Sequence, residues 1–94
     1  MKELRYYLDP STGQPHIYGH NVDETEIEEI LAYAKEDRRG DEGTRVALGR
    51  TFGGRYLKVI YSPDEDKIGI FVITAYDLTG HELTAFRRRQ RRRS

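Results

Sequence analysis

Basic and aromatic side chains gather in the second half of this 94-residue chain, where they could share one surface. Arg45, Tyr56 and Lys58 all lie in or beside apolar runs, and alternation along a strand predicts that they share one face of a sheet. Arg55 immediately precedes Tyr56. Cations held on a rigid sheet can bind phosphate and stabilise the transition state of RNA cleavage, and tyrosine can stack on a base. These residue types favour nucleic acid chemistry, and the competing interpretation is a sheet face with scattered charges.

The three histidines are the residues that titrate near neutral pH. Their positions, His16, His20 and His81, are too scattered to show metal-ligand spacing, and the chain has no cysteine, so we expect no metal and no other cofactor. His20 precedes Asn21, which tolerates a tight turn, so the alternative to proton transfer is a loop histidine bonded to backbone. His81 is expected in the first turn of a helix, where the dipole favours a neutral imidazole that can act as a base.

The net charge of zero hides a strong asymmetry. Residues 1–86 contain all 16 acidic side chains but only ten of the 16 basic ones, a net charge of −6. We therefore divide the chain into a single α+β domain, 1–86, and a basic tail, 87–94. The tail predicts a polyanionic partner such as RNA, and a solvated terminus is the alternative. Its candidate nucleic-acid-binding residues are Arg87, Arg88, Arg89, Arg91 and Arg92.

A three-stranded antiparallel meander over residues 44–76 must position these groups. Its three apolar runs are separated by short turn signals and cover residues 44–51, 56–61 and 67–75. If Gly53–Gly54 form a two-residue turn, Leu48 faces Val59 on the core side of the sheet. The third run is apolar on both faces, so we expect it to be covered on both sides.

Two helices and two N-terminal strands are predicted around the meander. Alternation predicts strands at residues 3–8 and, after a turn at 9–13, at 15–18. A capping-box pattern at Asp23 and Glu26 opens an acidic helix that we expect to run to residue 39. A second helix opens at residue 79, is anchored by Leu83 and Phe86, and could continue into the arginine run. The predicted order is ββαβββα.

Several classes of protein are disfavoured by what the sequence lacks. No apolar run approaches membrane-spanning length, and the N-terminus has no signal-peptide core, so we expect a cytoplasmic protein that does not contact a membrane. Neither a Gly-x-Ser-x-Gly motif nor a phosphate-binding loop is present, and a small-molecule ligand is not expected.

The order of short motifs over about residues 8 to 86 resembles the BrnT-type toxin family of bacterial toxin–antitoxin modules. The matching segments are Asp9-Pro10, His20-Asn21-Val22, the acidic helix 23–34, residues 45–49, residues 54–61, Ile73-Thr74-Ala75, Glu82 and Phe86. The resemblance implies a RelE-like fold, a ribonuclease activity that arrests translation, and a cognate antitoxin protein. By position, His20, Arg45 and Arg55 match polar residues of the family. Tyr76 stands where the family usually has an arginine.

The leading hypothesis is thus a RelE/BrnT-like toxin that cleaves RNA without a metal. We expect His20 or His81 to transfer protons, and three cations to hold phosphate: Arg45, Arg55 and Lys58. Tyr56 or Tyr76 is the expected base-stacking residue. The second hypothesis is a non-catalytic module of the same fold that binds a basic partner through the acidic helix or nucleic acid through the tail. The third is a structural domain without a ligand site.

Overall fold

The computed structural model describes residues 3–63 and 69–93, which form one five-stranded sheet with an α-helix on each face. The helices and strands are β1 (Glu3–Tyr6), α1 (Glu24–Tyr33), β2 (Glu36–Arg39), β3 (Arg45–Arg50), β4 (Tyr56–Pro63), β5 (Gly69–Asp77) and α2 (Gly80–Arg93). Two short 3-10 helices cover His16–His20 and Asp41–Gly43. The start of the predicted third run, residues 67 and 68, and most of the turn before it lie outside the described residues. The α+β class is confirmed.

The sheet has the strand order β1-β5-β4-β3-β2. Strands β3, β4 and β5 pair antiparallel as the predicted meander, whereas β1 pairs parallel with β5. The sheet is therefore mixed, because β1 does not continue the antiparallel pairing of the meander. Apolar alternation identifies a strand but carries no information about its direction, so the pairing of a strand distant in sequence could not be read from it.

The predicted strand at 15–18 is instead part of the first 3-10 helix. The preceding turn does form, because the backbone N–H groups of Thr12 and Gly13 both donate to the carbonyl of Asp9. Only an isolated bridge between Leu8 and Pro15 remains of the expected hairpin. The segment then forms a 3-10 helix that buries one apolar side chain, Ile17, whereas a strand would have buried alternate residues.

The predicted capping box of α1 is present. Asp23 accepts from the backbone N–H of Glu26, and the Glu26 carboxylate accepts from the backbone N–H of Asp23. The helix ends at Tyr33, six residues before the predicted end. Residues 36–39 form the edge strand β2 because the apolar stripe that holds α1 on the sheet stops at Ala34. The extension of the helix to residue 39 was therefore wrong.

The predicted register of the β3–β4 hairpin was also wrong, by one residue. Thr51 and Arg55 close a three-residue loop, so Leu48 lies opposite Lys58 rather than Val59. A slip of one residue changes which side chains share a face, because successive side chains of a strand point to opposite faces. Leu48 and Val59 therefore belong to different cores.

The two faces of the sheet carry two separate cores. The α1 core contains Ile17, Val22, Ile27, Ile30, Ala47, Leu57, Val59, Tyr61, Val72 and Ala75. The α2 core contains Val46, Leu48, Leu78 and Phe86, with Leu83 packed against them as predicted. Helix α2 continues through the arginine run to Arg93, so these arginines are held in a helix. No helix in the described parts of the chain is long and apolar enough to cross a membrane.

Candidate nucleic-acid interface

A cavity of about 370 Å³ lies between the C-terminal half of α2 and the hairpin end of the sheet. We call it the cationic cleft, and its lining consists of Lys35, Arg50, Tyr56, Phe86, Arg87, Gln90 and Arg91. Arg50 ends β3 and pairs in register with Tyr56 at the start of β4. Arg87 and Arg91 are one helical turn apart, so both face the same side of α2. Two elements, β3 and α2, and the residue before β2 thus supply four cations to one cavity.

Three of the four cations in the cleft are not paired with a carboxylate in the described part of the chain. Among the residues that the structure describes, no carboxylate oxygen lies within 4.0 Å of the charged nitrogens of Lys35, Arg50 or Arg87. Like charges held close together raise the local concentration of anions. The cleft is therefore suited to a phosphate-bearing ligand.

Tyr56 organises two of these cations. Its ring centroid lies 5.3 Å from the Arg50 guanidinium carbon and 5.9 Å from that of Arg87. Phe86 packs edge-on against the same ring, at 6.1 Å between centroids. A guanidinium over an aromatic ring is attracted to the ring quadrupole and loses freedom. The Tyr56 ring, predicted to stack on a base, is thus already engaged with two arginines.

The hairpin loop gives the Arg50 side chain the space that it needs. Gly54 has a φ of +96°, which a residue with a side chain rarely adopts. A Cβ at this position would lie 3.2 Å from an Arg50 terminal nitrogen. Glycine therefore serves both the turn and the arginine beside it.

A second polar cluster lies on the sheet face that α2 covers. We call it the histidine row, and it consists of His16, His20, Tyr76 and Lys58. Ring centroids are 5.3 Å apart for His16 and His20, and 5.9 Å apart for His20 and Tyr76. The Lys58 ammonium lies 5.6 Å from the Tyr76 ring and 2.9 Å from a Glu82 carboxylate oxygen. The hydrogen bond to Glu82 raises the pKa of Lys58. The row thus joins an exposed imidazole, a phenol and a cation.

The histidine row and the cationic cleft are neighbours. Tyr56 belongs to the cleft and Lys58 to the row, and both point to the α2 face at alternate positions of β4. Alternate residues of a strand are about 7 Å apart, which is close to the phosphate spacing of an extended nucleic acid strand. One ligand could therefore contact both clusters.

Arg55 does not face the cleft, because its guanidinium is occupied by other parts of the fold. It makes two hydrogen bonds to Asp77, of 2.7 and 3.1 Å, and an ion pair of 3.1 Å with Glu26. It also donates to the backbone carbonyls of His20 and Asn21. The hydrogen bonds between Arg55 and Asp77 raise the pKa of Arg55 and lower that of Asp77. The residue that was predicted to hold phosphate is bonded here to acidic and backbone acceptors.

Arg45 is similarly engaged near the opposite end of β3. Its Nε donates to Asp37 at 2.8 Å, and this bond raises the pKa of Arg45. The Tyr61 hydroxyl donates to the other oxygen of the Asp37 carboxylate. Burial, followed by the Asp37 contact, raises the pKa of Tyr61 to about 12. Arg45 thus joins β3 to β2, and the structure does not bring it to the cleft.

The arginines of α2 divide by helical position. Arg89 makes two short hydrogen bonds to Glu36, of 2.6 and 2.8 Å, which attach α2 to β2. Arg87 and Arg91 line the cleft, whereas Arg88 and Arg92 are exposed and do not line it. Only two of the five predicted binding arginines therefore contribute to the cavity.

His81 lies apart from the histidine row's ring contacts. It is exposed and lines a separate cavity of about 230 Å³ with Arg38, Leu48, Glu82, Ala85 and Arg89. In the described part of the chain no group of three histidine or carboxylate side chains could hold a metal ion.

Two cations of the cleft, Arg50 and Lys35, were not among the residues predicted to bind or cleave RNA. Arg50 was noticeable as a basic residue at the hairpin end, but its role depends on the register that brings it beside Tyr56. Lys35 could not be identified as a cleft residue from the sequence, because it lay inside the helix that was predicted to run to residue 39. Its backbone N–H instead donates to the carbonyl of Leu48, which starts β2 against β3.

Comparison with known protein families gives a match to part of the chain. A family model described as a domain of unknown function, DUF4258, matches residues 19–77. The matched segment runs from the end of the first 3-10 helix to the end of β5, so it contains Arg50, Tyr56 and Lys58 but not α2. No curated protein matches the chain, and no solved structure does.

Proposed function

Because this chain belongs to the DUF4258 family of domains of unknown function, we propose its function from the site itself: it binds single-stranded RNA in the cationic cleft and cleaves it as a RelE/BrnT-like toxin. The observation that carries the proposal is the convergence of Lys35, Arg50, Arg87 and Arg91 around Tyr56. Four cations around an aromatic ring form the kind of surface that follows a nucleic acid backbone.

RNA binding rests on charge and on preorganisation. The Arg50 and Arg87 guanidinium groups are held on the Tyr56 ring, so less side-chain entropy is lost when they contact phosphate. Guanidinium is also the side-chain group whose geometry best matches a phosphate, because it can donate two parallel hydrogen bonds. A phosphate in the cleft would lie next to Lys58, and the adjacent nucleotide would then reach the histidine row.

Cleavage in this scheme is a transesterification that needs no metal. His20 accepts the proton of a ribose 2′-hydroxyl, and the 2′-oxygen attacks the adjacent phosphorus. The bond from phosphorus to the 5′-oxygen breaks, which leaves a cyclic phosphate and a 5′-hydroxyl. The Tyr76 hydroxyl donates its proton to the leaving 5′-oxygen and is reprotonated by solvent, and Lys58 stabilises the charge that develops on the phosphate. The resemblance to BrnT toxins supports this chemistry, and it also adds an antitoxin as the protein partner.

The binding step is tested by two pairs of substitutions that remove the same charge. Arg87→Gln with Arg91→Gln removes cations from the cleft, whereas Arg88→Gln with Arg92→Gln removes them from the outer side of α2. We expect the first pair to weaken binding of a fluorescent single-stranded RNA and to reduce the slope of log K against log salt by about 1.4. The second pair should change both quantities much less. Equal effects of the two pairs would show that only net charge matters and would reject the cleft.

The cleavage step is tested on a long single-stranded RNA in the presence of EDTA. We expect the wild-type protein to cut this RNA. The cleavage rate of His20→Asn should be at least about 100-fold lower, because a general base typically accelerates a reaction by that factor or more. Its affinity for RNA should be unchanged. The substitution changes only the side chain, so the backbone carbonyl of residue 20 still accepts the hydrogen bond from Arg55. His81→Asn is the matched control and should cut normally. Full activity of His20→Asn would remove His20 from the mechanism.

A non-catalytic RNA-binding module of the same fold is the second candidate. It is favoured by the ion pairs that occupy Arg45, Arg55 and Lys58, since these leave fewer cations to stabilise a transition state. RNA binding that depends on Arg87 and Arg91, with no cleavage by the wild-type protein, would establish this candidate.

A further inference from the structure

A groove of about 530 Å³ runs between α1 and the β1–β5 edge of the sheet, on the face opposite the cationic cleft. Its apolar part is formed by Leu4 of β1, Ile70 of β5 and Leu31 of α1, which are each half-buried. Thr25, Glu28, Glu29, Ala32 and Tyr33 of α1 complete the lining. We call this cavity the acidic groove.

The groove exists because α1 covers only part of its face of the sheet. The helix contacts β3 and β4, while Leu4 and Ile70 of the neighbouring strands keep an exposed flank. Beside it the rings of Tyr33 and Phe52 pack 5.5 Å apart and are 63% and 73% exposed. Exposed apolar side chains that adjoin a groove are typical of sites where another protein binds.

The charge of α1 indicates what this partner must carry. Its ten residues include four glutamates and no basic residue. Glu26 is bonded to Arg55 and Glu29 accepts from the backbone N–H of Phe52, but Glu28 is exposed at the groove. A partner with lysine or arginine beside an apolar stripe would satisfy both the charge and the apolar floor.

We propose that the acidic groove docks a basic amphipathic helix of another protein, which lies alongside α1 and completes the cover of the sheet. Two helices packed on one sheet face in this way lie 8–10 Å apart. The arginine-rich α2 of a second copy does not fit, because its apolar residues Leu83 and Phe86 are packed against its own sheet. The inference is independent of RNA binding, since the cleft and the groove lie on opposite faces.

The test uses a synthetic helical peptide of leucine and lysine in heptad arrangement, labelled for fluorescence anisotropy, and the full chain. The peptide with glutamate in place of lysine is the charge control. Ala32→Lys places a long cation in the groove, and Glu28→Lys reverses its exposed charge. Both positions are exposed on α1, so neither change removes a core contact. Glu42→Lys makes the same charge change in the β2–β3 loop, at the other edge of the sheet.

We expect the lysine peptide to bind the wild-type protein and Glu42→Lys equally, and to bind Ala32→Lys and Glu28→Lys at least about tenfold more weakly, because a like charge now faces it. The glutamate peptide should not bind. Equal binding to all variants, or no binding to the wild-type protein, would overturn the proposal. Sedimentation of the chain alone provides a further check: a dimer that Ala32→Lys abolishes would show that a second copy occupies the groove, contrary to the proposal.

Discussion

At the scale of single residues, the ring of Tyr56 has a different role from the one that its type suggested. An exposed tyrosine on a sheet is a candidate for stacking on a base. Here the ring is half-buried and contacts Arg50, Arg87 and Phe86. In the proposed RNA site, its contribution is therefore to position two guanidinium groups, which needs the ring but not the hydroxyl.

This role predicts opposite outcomes for two substitutions of Tyr56. Tyr56→Phe keeps the aromatic face and should leave RNA affinity within about twofold of the wild type. Tyr56→Leu keeps apolar bulk but loses both cation–π contacts, so affinity should fall by about tenfold. Anisotropy titrations with single-stranded RNA measure both, and circular dichroism checks the fold. Equal loss in the two variants would instead indicate that the hydroxyl contacts the ligand.

At the scale of elements, Arg55 connects four parts of the chain. From the position just before β4 it reaches Asp77 at the end of β5, Glu26 in α1, and two carbonyls at the end of the first 3-10 helix. Loss of RNA cleavage in a variant without Arg55 would thus have a structural explanation. The stability of an Arg55 variant should therefore be measured before a change in its activity is interpreted.

Arg55→Met is expected to lower the free energy of unfolding at pH 7 by about 1–3 kcal/mol, because the Asp77 and Glu26 carboxylates lose their partner. Arg55 holds the pKa of Asp77 below its usual value of 3.8, so this stabilisation is present above about pH 4. It is lost as the pH falls through the lowered pKa. Urea unfolding at pH 7 and near pH 3 should therefore show a smaller difference between the two proteins at the lower pH. A difference that is constant with pH would exclude this ion pair as its source.

At the scale of the whole molecule, the fold separates opposite charges onto the two faces of its sheet. Glutamates of α1 lie on one face, and the cations of the cleft lie on the other. Long-range repulsion would keep the basic peptide proposed for the groove away from the cleft, and would keep RNA away from the groove. The zero net charge of the chain thus describes neither face.

The limit of stability at high pH is also a property of the whole molecule. Burial raises the pKa of both Tyr6 and Tyr61 from 10.0 to about 12, and these residues lie on strands in different parts of the sheet. The neutral phenols are favoured by folding, so their contribution is complete below pH 10 and is lost as the pH rises to 12.

We therefore expect the free energy of unfolding to fall between pH 10 and pH 12, and tyrosinate absorbance to show late ionisation that includes Tyr6 and Tyr61. Tyr61→Phe should remove one of the late groups and flatten the fall. Urea unfolding of the same variant over this range supplies the second readout. Titration of all seven tyrosines near pH 10 would contradict the burial of both phenols.

Local signals in the sequence were sufficient for the elements whose interactions are also local. The capping box spans four residues, and the turn after β1 spans five, so both could be predicted from residue types alone. The meander followed from three apolar runs and short connections. The α+β class followed from these parts together.

Only the tertiary structure decided the direction of β1, the strand β2, the register of the hairpin and the partners of each cation. Arg55 meets Asp77, Glu26 and the carbonyl of His20 at sequence separations of 22, 29 and 35 residues. The one-residue register brings Arg50 beside Tyr56, and the start of β2 brings Lys35 to the same cleft. Composition determined that cations were abundant. Which of them were neutralised and which converged depended on long-range packing, which has no signature in local sequence.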